Sequence, residues 1–165
     1  MKRAKSPVSI TAELKAFLES GASVLVGTRD SGLVPEITRA WGPRVSRDRR
    51  SISLCIAVAS GGRTLDNVRD NGRVAATFAL PTNYKAVQLW GRCIETTQPN
   101  RQDLFAIQEH RDLFAHLNEG IGVPRPFVEG LWQRELTESP VMVKIRFVVE
   151  QVFDQTPGPD AGSRL

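Results

Sequence analysis

Residues 60–75, SGGRTLDNVRDNGRVA, contain the most informative local pattern of the chain. The stretch follows an alternating strand-like run, turns on two glycines and opens a short predicted helix from Thr64 to Asn71. Free N–H groups at a helix start favour an anion, and Arg63 adds a planar set of donors that matches phosphate oxygens. The pattern therefore predicts a phosphate-binding turn. The alternative is a plain glycine turn in which Thr64 only caps the helix.

The rest of the chain predicts a mainly β protein with short helices. Six extended runs have strand character, at about residues 23–28, 33–45, 51–57, 73–80, 85–95 and 141–150. Turn residues separate the first three runs, so we expect an antiparallel meander that closes into a small barrel. A parallel sheet is the alternative, because the helix from Thr64 could serve as a crossover. At 165 residues the chain is expected to form one domain, residues 1–165.

The predicted helices are few. An amphipathic stripe indicates a helix over about residues 11–20, with Thr11 as its N-cap. A second helix is expected from Pro99 to about Leu117, followed by an apolar turn over residues 127–132. The proline- and glycine-containing end, residues 155–165, is expected to form an extended tail.

Charge and composition narrow the function classes. The net charge of +4 and the pI of about 9.5 would help attract an anionic ligand or a nucleic acid. The densest basic run, residues 44–50, is interrupted by Asp48 and has no aromatic side chain for base stacking, so nucleic acid is not the expected partner. No apolar run is long enough to span a membrane. No apolar segment follows the basic start Met1–Lys5, so a cytoplasmic location is expected.

The sequence gives no basis for naming a catalytic residue. It has no nucleophile-elbow motif. Its two histidines, His110 and His116, lie six residues apart and are expected on the solvated side of the second long helix. His110 has no partner four residues away of the kind that zinc motifs use, so no metal site is predicted.

The order of motifs resembles one protein family. The segment Gly62–Ala75 is similar to the stretch of the pyridoxamine 5′-phosphate oxidase-like family in which a Ser-Arg-Lys triplet opens a short helix and an Arg-Val-Ala strand follows. Val87–Arg92 resembles the family's glycine-terminated strand, and Thr38–Trp41 stands where the family has an arginine-bearing strand. The resemblance covers about residues 11–96. It implies a six-stranded antiparallel split β-barrel of the FMN-binding type, usually a homodimer with flavin sites between subunits.

The resemblance assigns the cofactor-binding residues by position. Arg63 and Thr64 would bind the flavin phosphate, and Arg39 would lie near the phosphate or the ribityl chain. The backbone of Ala57 and Val58 would lie near the edge of the isoalloxazine ring.

Two further positions have open alternatives. Trp41 could stack beside the flavin ring, or it could pack inside the barrel or at a dimer interface. Gln88 is a weaker candidate for cofactor binding, because the family's glutamine aligns two positions earlier, with Ala86. The chain also departs from the family pattern, because Thr64 replaces a lysine and the C-terminal substrate signature of the oxidase is not recognisable.

The function implied is an FMN-dependent oxidoreductase that transfers a hydride through the flavin, which itself carries the chemistry. Its expected partners are a small-molecule substrate, a pyridine nucleotide as a candidate electron donor, and a second copy of the chain. A related barrel that binds deazaflavin or haem is the first alternative. A non-catalytic flavin-binding or nucleic-acid-associated regulatory module is the second.

Overall fold

The computed structural model of the chain describes residues 8–138 and 141–165, so the basic start Met1–Lys5 lies outside the described residues. Within them the fold is mainly β, with one antiparallel sheet of seven strands and four helices. The strands are β1 Ser23–Arg29, β2 Pro35–Arg39, β3 Trp41–Val45, β4 Ser51–Ala57, β5 Arg73–Ala79, β6 Ala86–Thr97 and β7 Met142–Asp154. The helices are α1 Ala12–Leu18, α2 Val58–Asn71, α3 Arg101–Glu119 and α4 Arg125–Glu138.

The strand order β2-β1-β5-β6-β7-β4-β3 places β2 and β3 at the two ends of the sheet, although only Ala40 separates them in the chain. The sheet must therefore curl into a half-barrel. The prediction of six strands was wrong in this respect, because the run predicted as one strand over residues 33–45 bends at Ala40. Before the bend it pairs with β1, and after it the run pairs with β4.

The core lies inside the curl and follows the alternation seen in the sequence. Val24 and Val26 of β1 and the side chains of Ile145, Phe147 and Val149 of β7 are enclosed, as expected for strands with one buried face. The predicted N-terminal helix is confirmed, because the Thr11 side chain accepts a hydrogen bond from the Leu14 N–H at 3.1 Å.

Helix α2 begins at Val58, six residues earlier than the predicted start at Thr64. The glycine turn is instead a kink inside this helix, where Gly61 has non-helical dihedrals (φ −122°, ψ 16°). The kink has a packing reason, since a Cβ on Gly61 would lie 2.3 Å from Cγ2 of Ile56. As predicted, the helix ends at Asn71, and Gly72 caps it with a positive φ of 69°.

The C-terminal third differs from expectation in two places. Residues 127–132, expected as a turn, belong to α4, which packs against α3 and encloses Val128 and Trp132. The predicted extended tail turns back on itself, and the Leu165 N–H donates to the Val152 carbonyl at 2.9 Å. Among the described residues no helix is both long enough and apolar enough to cross a membrane.

Helix α3 carries a buried histidine, which corrects the prediction that His110 is solvated; His116 is exposed as expected. The Gly42 N–H donates to Nδ1 of His110 at 3.3 Å, and Nε2 lies 2.8 Å from the Ala22 carbonyl oxygen. These bonds require the neutral tautomer with the proton on Nε2. The pKa of His110 is lowered to about 4, chiefly by burial and to a smaller extent by the guanidinium groups of Arg39 and Arg111, while the hydrogen bond to the Ala22 carbonyl partly opposes the shift.

We expect Gly61 and Gly62 to respond oppositely to alanine. Gly61→Ala should lower the free energy of unfolding by about 1–3 kcal/mol, because its methyl group would overlap Ile56 and approach Thr38. Gly62→Ala meets no atom within 4 Å and should raise the free energy of unfolding by about 0.5–1 kcal/mol, because alanine favours a helix. Urea unfolding of the pair measures both values. Equal effects of the two substitutions would contradict the packing reason for the kink.

We expect His110 to make the protein less stable in acid. Its folded pKa of about 4 lies below the ordinary value of about 6.5, so the unfolded chain takes up the proton first. The stabilisation is complete above about pH 6.5 and is lost as the pH falls towards 4, by on the order of 3 kcal/mol. His110→Gln should flatten this part of the pH profile of unfolding, measured by urea titration. An unchanged slope would show that other groups cause it.

Candidate functional site

The start of α2 lies beside β2 and presents a cation. Thr38 of β2 donates a hydrogen bond through its hydroxyl to the Ser60 carbonyl at 3.3 Å, which holds the start of the helix against the strand. Arg63 follows on the outside of the helix, with 72% of its side chain exposed. Its Nε lies 3.5 Å from Oε2 of Glu36, a β2 residue. The guanidinium is therefore accessible but shares its surroundings with a carboxylate.

Among the described residues, few groups stand against an anion at the same end of α2. No side chain caps the helix start, and its first turn contains no acidic residue. A Cβ on Gly62 would meet no described atom within 4 Å, so no described residue fills the space beside it. The Val58 N–H is satisfied by the Val141 carbonyl at 3.0 Å, and Ala57 lies buried at the end of β4. An uncapped helix start next to an exposed guanidinium suits an anion.

Thr64 has a different environment from Arg63. Its side chain is fully enclosed, and its hydroxyl oxygen has no hydrogen-bond partner. A buried hydroxyl without a partner loses its hydration without compensation. The hydroxyl lies beneath the surface that Arg63 occupies, so the two residues assigned to one phosphate are not presented side by side.

Arg39 and Trp41 form a second group, one on each side of the bend at Ala40. Arg39 donates through Nη1 to the Ser23 hydroxyl at 3.0 Å, and its guanidinium carbon lies 5.7 Å from the centre of the Trp41 ring. Trp41 is only 1% exposed, since Phe114 of α3 and Trp132 of α4 meet it edge-on. In this structure Trp41 is therefore a packed residue between the sheet and the two helices.

Gln88 lies on the face of the sheet that points away from the core. Its Nε2 donates to the Thr77 hydroxyl at 2.9 Å, and its Oε1 accepts from Nε1 of Trp90 at 2.6 Å. Arg39 and Gln88 belong to one cross-strand row of this face, in the order Arg39, Leu25, Thr77, Gln88 and Phe153. Three strand spacings separate them, about 14 Å.

The structure therefore divides the predicted residues into three places. Ala57 and Val58 lie at the start of α2 and Arg63 and Thr64 just after its kink at Gly61. Arg39 and Trp41 lie beneath α3 and α4, and Gln88 lies on the outer sheet face. Two neighbours were not foreseen, Glu36 beside Arg63 and Trp90 beside Gln88. The alternation of β6 was a usable signal for Trp90, because it places this residue on the same face as Gln88. No local signal in the sequence pairs Glu36 with Arg63.

Other chemistries find little support in the described residues. They contain no cluster of three or more histidine, cysteine or acidic side chains placed to hold a metal ion. Burial raises the pKa of the Cys55 thiol to about 12, with a smaller contribution from Asp103 and partial opposition from Lys144. A thiol with so high a pKa is a poor nucleophile at neutral pH.

Comparison with known proteins bears on the fold. A scan against protein-family models and a search of curated proteins found no match. Solved structures do match. HupZ of Group A Streptococcus is 21% identical, with 93% of this chain and 99% of that chain covered and a TM-score of 0.54.

Two further solved structures carry names that relate to the predicted family. An FMN-binding protein from Syntrophomonas wolfei is 10% identical, with 85% of this chain and 82% of that chain covered and a TM-score of 0.54. A protein from Clostridium acetobutylicum, related to general stress protein 26 of B. subtilis and assigned to the pyridoxinephosphate oxidase family, is 16% identical. The match covers 88% of this chain and 87% of the Clostridium protein, with a TM-score of 0.53. The chain has the split-barrel fold of the pyridoxamine 5′-phosphate oxidase-like proteins.

Proposed function

We propose that the chain binds FMN and is an oxidoreductase of the pyridoxamine 5′-phosphate oxidase-like class, acting on an unidentified small substrate. The observation that carries the proposal is the open, cationic start of α2, where an exposed Arg63 stands beside the free space at Gly62. A flavin bound there would supply two-electron chemistry, and the chain would supply binding, orientation and charge.

The roles follow from the surroundings of each residue. Arg63 would contact the phosphate directly, because its guanidinium is accessible. The enclosed Thr64 hydroxyl would join it only if the helix start moved. Arg39 would place a fixed positive charge near the flavin, held by Ser23 and by the faces of Trp41 and Phe114. The proposal names no proton-transferring residue.

The partners in this proposal are a second copy of the chain, a small-molecule substrate and a pyridine nucleotide as electron donor. Exposed apolar side chains at the turn between β1 and β2, Leu33 and Val34, support a contact with a second copy close to Glu36 and Arg63. A homodimer would have twice the 18.2 kDa mass of the chain in light scattering. Cytoplasmic activity is part of the same proposal.

We expect apoprotein to take up FMN with the yellow absorption band of a bound flavin. Arg63→Ala should weaken FMN binding by about tenfold or more in calorimetric titration, because a charge-assisted hydrogen bond contributes about 1.5–3 kcal/mol. Arg69→Ala is the matched control. Arg69 is an exposed arginine of the same helix that pairs only locally with Asp66, and its loss should leave FMN affinity unchanged.

Three outcomes would overturn parts of this proposal. A protein that takes up no FMN would remove the cofactor assignment, and a Soret band or preferential uptake of a deazaflavin would select the alternative barrels. Equal FMN affinity in the Arg63→Ala variant and the parent would move the phosphate elsewhere.

We also expect Glu36 to oppose phosphate binding. Glu36→Gln would remove a carboxylate that lies 3.5 Å from the Arg63 guanidinium, and a unit charge at this range acts with about 1 kcal/mol in water. FMN should then bind about fivefold more tightly, while riboflavin, which lacks the phosphate, should bind as before. Calorimetry with both flavins measures the difference. Weaker FMN binding in Glu36→Gln would mean that Glu36 positions Arg63 instead of competing for it.

A further inference from the structure

A cleft of about 480 Å³ opens on the outer face of the sheet, apart from the start of α2. Its floor is a cross-strand row in which Gly27 of β1 pairs with Ala75 of β5, Ala75 with Trp90 of β6, and Trp90 with Gln151 of β7. Gly27 and Ala75 have almost no side chain, so the sheet backbone forms the floor of the cleft there, and the Trp90 ring stands above this floor as a wall. The volume suits a small molecule.

Trp90 forms a rigid wall of this cleft. Its Nε1–H donates to Oε1 of Gln88, and Gln88 donates to Thr77, so a hydrogen-bonded chain fixes the plane of the indole. The Phe153 ring supports it from the side at a centroid distance of 5.0 Å. Even so, 45% of Trp90 is exposed. An aromatic surface held in one orientation can stack a flat ring at little cost in conformational entropy.

The rim of the cleft is charged. Arg29 and Arg73 are cationic, and Glu150 is the acidic residue that lines the cleft with them. Nη1 of Arg73 lies 3.5 Å from Oε2 of Glu150, while Arg29 donates at 3.1 Å to the neighbouring Asp30 carbonyl and has no ion pair with a described acidic residue. Two guanidinium groups and one carboxylate leave one net positive charge. The guanidinium of Arg29 therefore remains available for an anion.

We propose that this cleft binds a planar aromatic molecule of one or two rings that carries an anionic group. The ring would stack on Trp90 over the low floor at Gly27 and Ala75, and the anion would meet Arg29 and Arg73. Thr28 of β1 lines the cleft and pairs with Glu36 of β2, the residue beside Arg63. The cleft therefore begins one strand away from Arg63. A separate aromatic acid and the ring of a bound flavin share this chemistry, and the experiment separates them. The binding does not depend on the proposed cofactor.

The test is calorimetric titration of the apoprotein with 2-naphthoate. We expect saturable binding at one site per chain that weakens about tenfold or more in Trp90→Ala, because stacking on an aromatic side chain contributes about 1–3 kcal/mol. Trp90→Phe should retain most of the affinity. Phe127→Ala, which removes an exposed aromatic side chain of α4, is the control and should bind as the parent does. Thermal unfolding verifies that each variant is folded.

Two further arms define the ligand. The uncharged 2-naphthamide should bind more weakly than 2-naphthoate, and Arg29→Gln together with Arg73→Gln should abolish the difference. Titration of 2-naphthoate into FMN-saturated protein then identifies the natural occupant. Additive binding indicates a separate aromatic acid, and competition indicates that the cleft holds the flavin ring.

Three results would overturn the proposal. They are no saturable binding of 2-naphthoate, equal affinity in the folded Trp90→Ala variant, or equal binding of acid and amide by the parent protein. Acrylamide quenching gives an independent check, because Trp41 and Trp132 are enclosed and Trp90 is exposed. If acrylamide quenched none of the tryptophan fluorescence, a second copy would have to cover this face of the sheet. That result would also overturn the proposal.

Discussion

Ala40 joins the two ends of the sheet, and the rest of the structure depends on this single-residue connection. The strand order puts β2 and β3 at opposite edges, yet one residue cannot span a flat sheet of seven strands, since each strand adds about 4.8 Å. The sheet must curl until the end of β2 lies next to the beginning of β3. The Ala40 N–H donates to the Val24 carbonyl at 3.1 Å, so the bend itself stays attached to β1. The curl produces both an enclosed core and an outer face on which distant residues share a row.

The bend also explains how the functional residues are distributed. Glu36 and Thr38, before Ala40, lie on the edge that α2 covers, and Trp41, after it, lies in the strand beneath α3. Arg39 belongs to the first strand, but its side chain reaches the rings of Trp41 and Phe114. Gly42 follows with a positive φ of 61°, and a Cβ there would lie 2.9 Å from the Ile107 backbone nitrogen. Close approach of α3 to β3 is possible because this position is a glycine. Trp41 is consequently enclosed, although it lies two residues from the accessible β2 edge.

Periodicity made most of the strands predictable, because one face of each is buried and the other is not. The start of α2 was not predictable in the same way. Residues 58–60 have no helical signature, and the contact that holds them against the sheet, from the Thr38 hydroxyl to the Ser60 carbonyl, joins residues distant in sequence. α4 contains Pro126 and Gly130 and follows Pro124, residues that locally favour a turn, and its packing against Trp41 and Phe114 overrides that preference. The burial of His110 likewise depends on which side of α3 meets Gly42.

Only the parts of the candidate site that depend on neighbouring residues in the chain could be predicted. Arg63 was identified from the glycine pair and the helix that follows, but the carboxylate beside it comes from β2 through the fold. Gly27 carried a usable signal, because a glycine inside a strand often marks a close approach of a ligand or of another backbone. Its significance becomes clear only when the register places it beside Ala75 and Trp90.

Charge and burial together constrain how a flavin or a similar ligand would be recognised. At the start of α2, Glu36 offsets the charge of Arg63, and the Thr64 hydroxyl is enclosed, so the phosphate would gain less there than at an unopposed cationic site. Affinity for a flavin would then come largely from its ring. On the outer face, Trp90 is oriented before binding and requires no further ordering. The two proposals therefore assign different tasks to the two places: the start of α2 would hold the flavin phosphate, while the residues around Gly27, Ala75 and Trp90 would determine which flat, anionic molecule the outer cleft accepts.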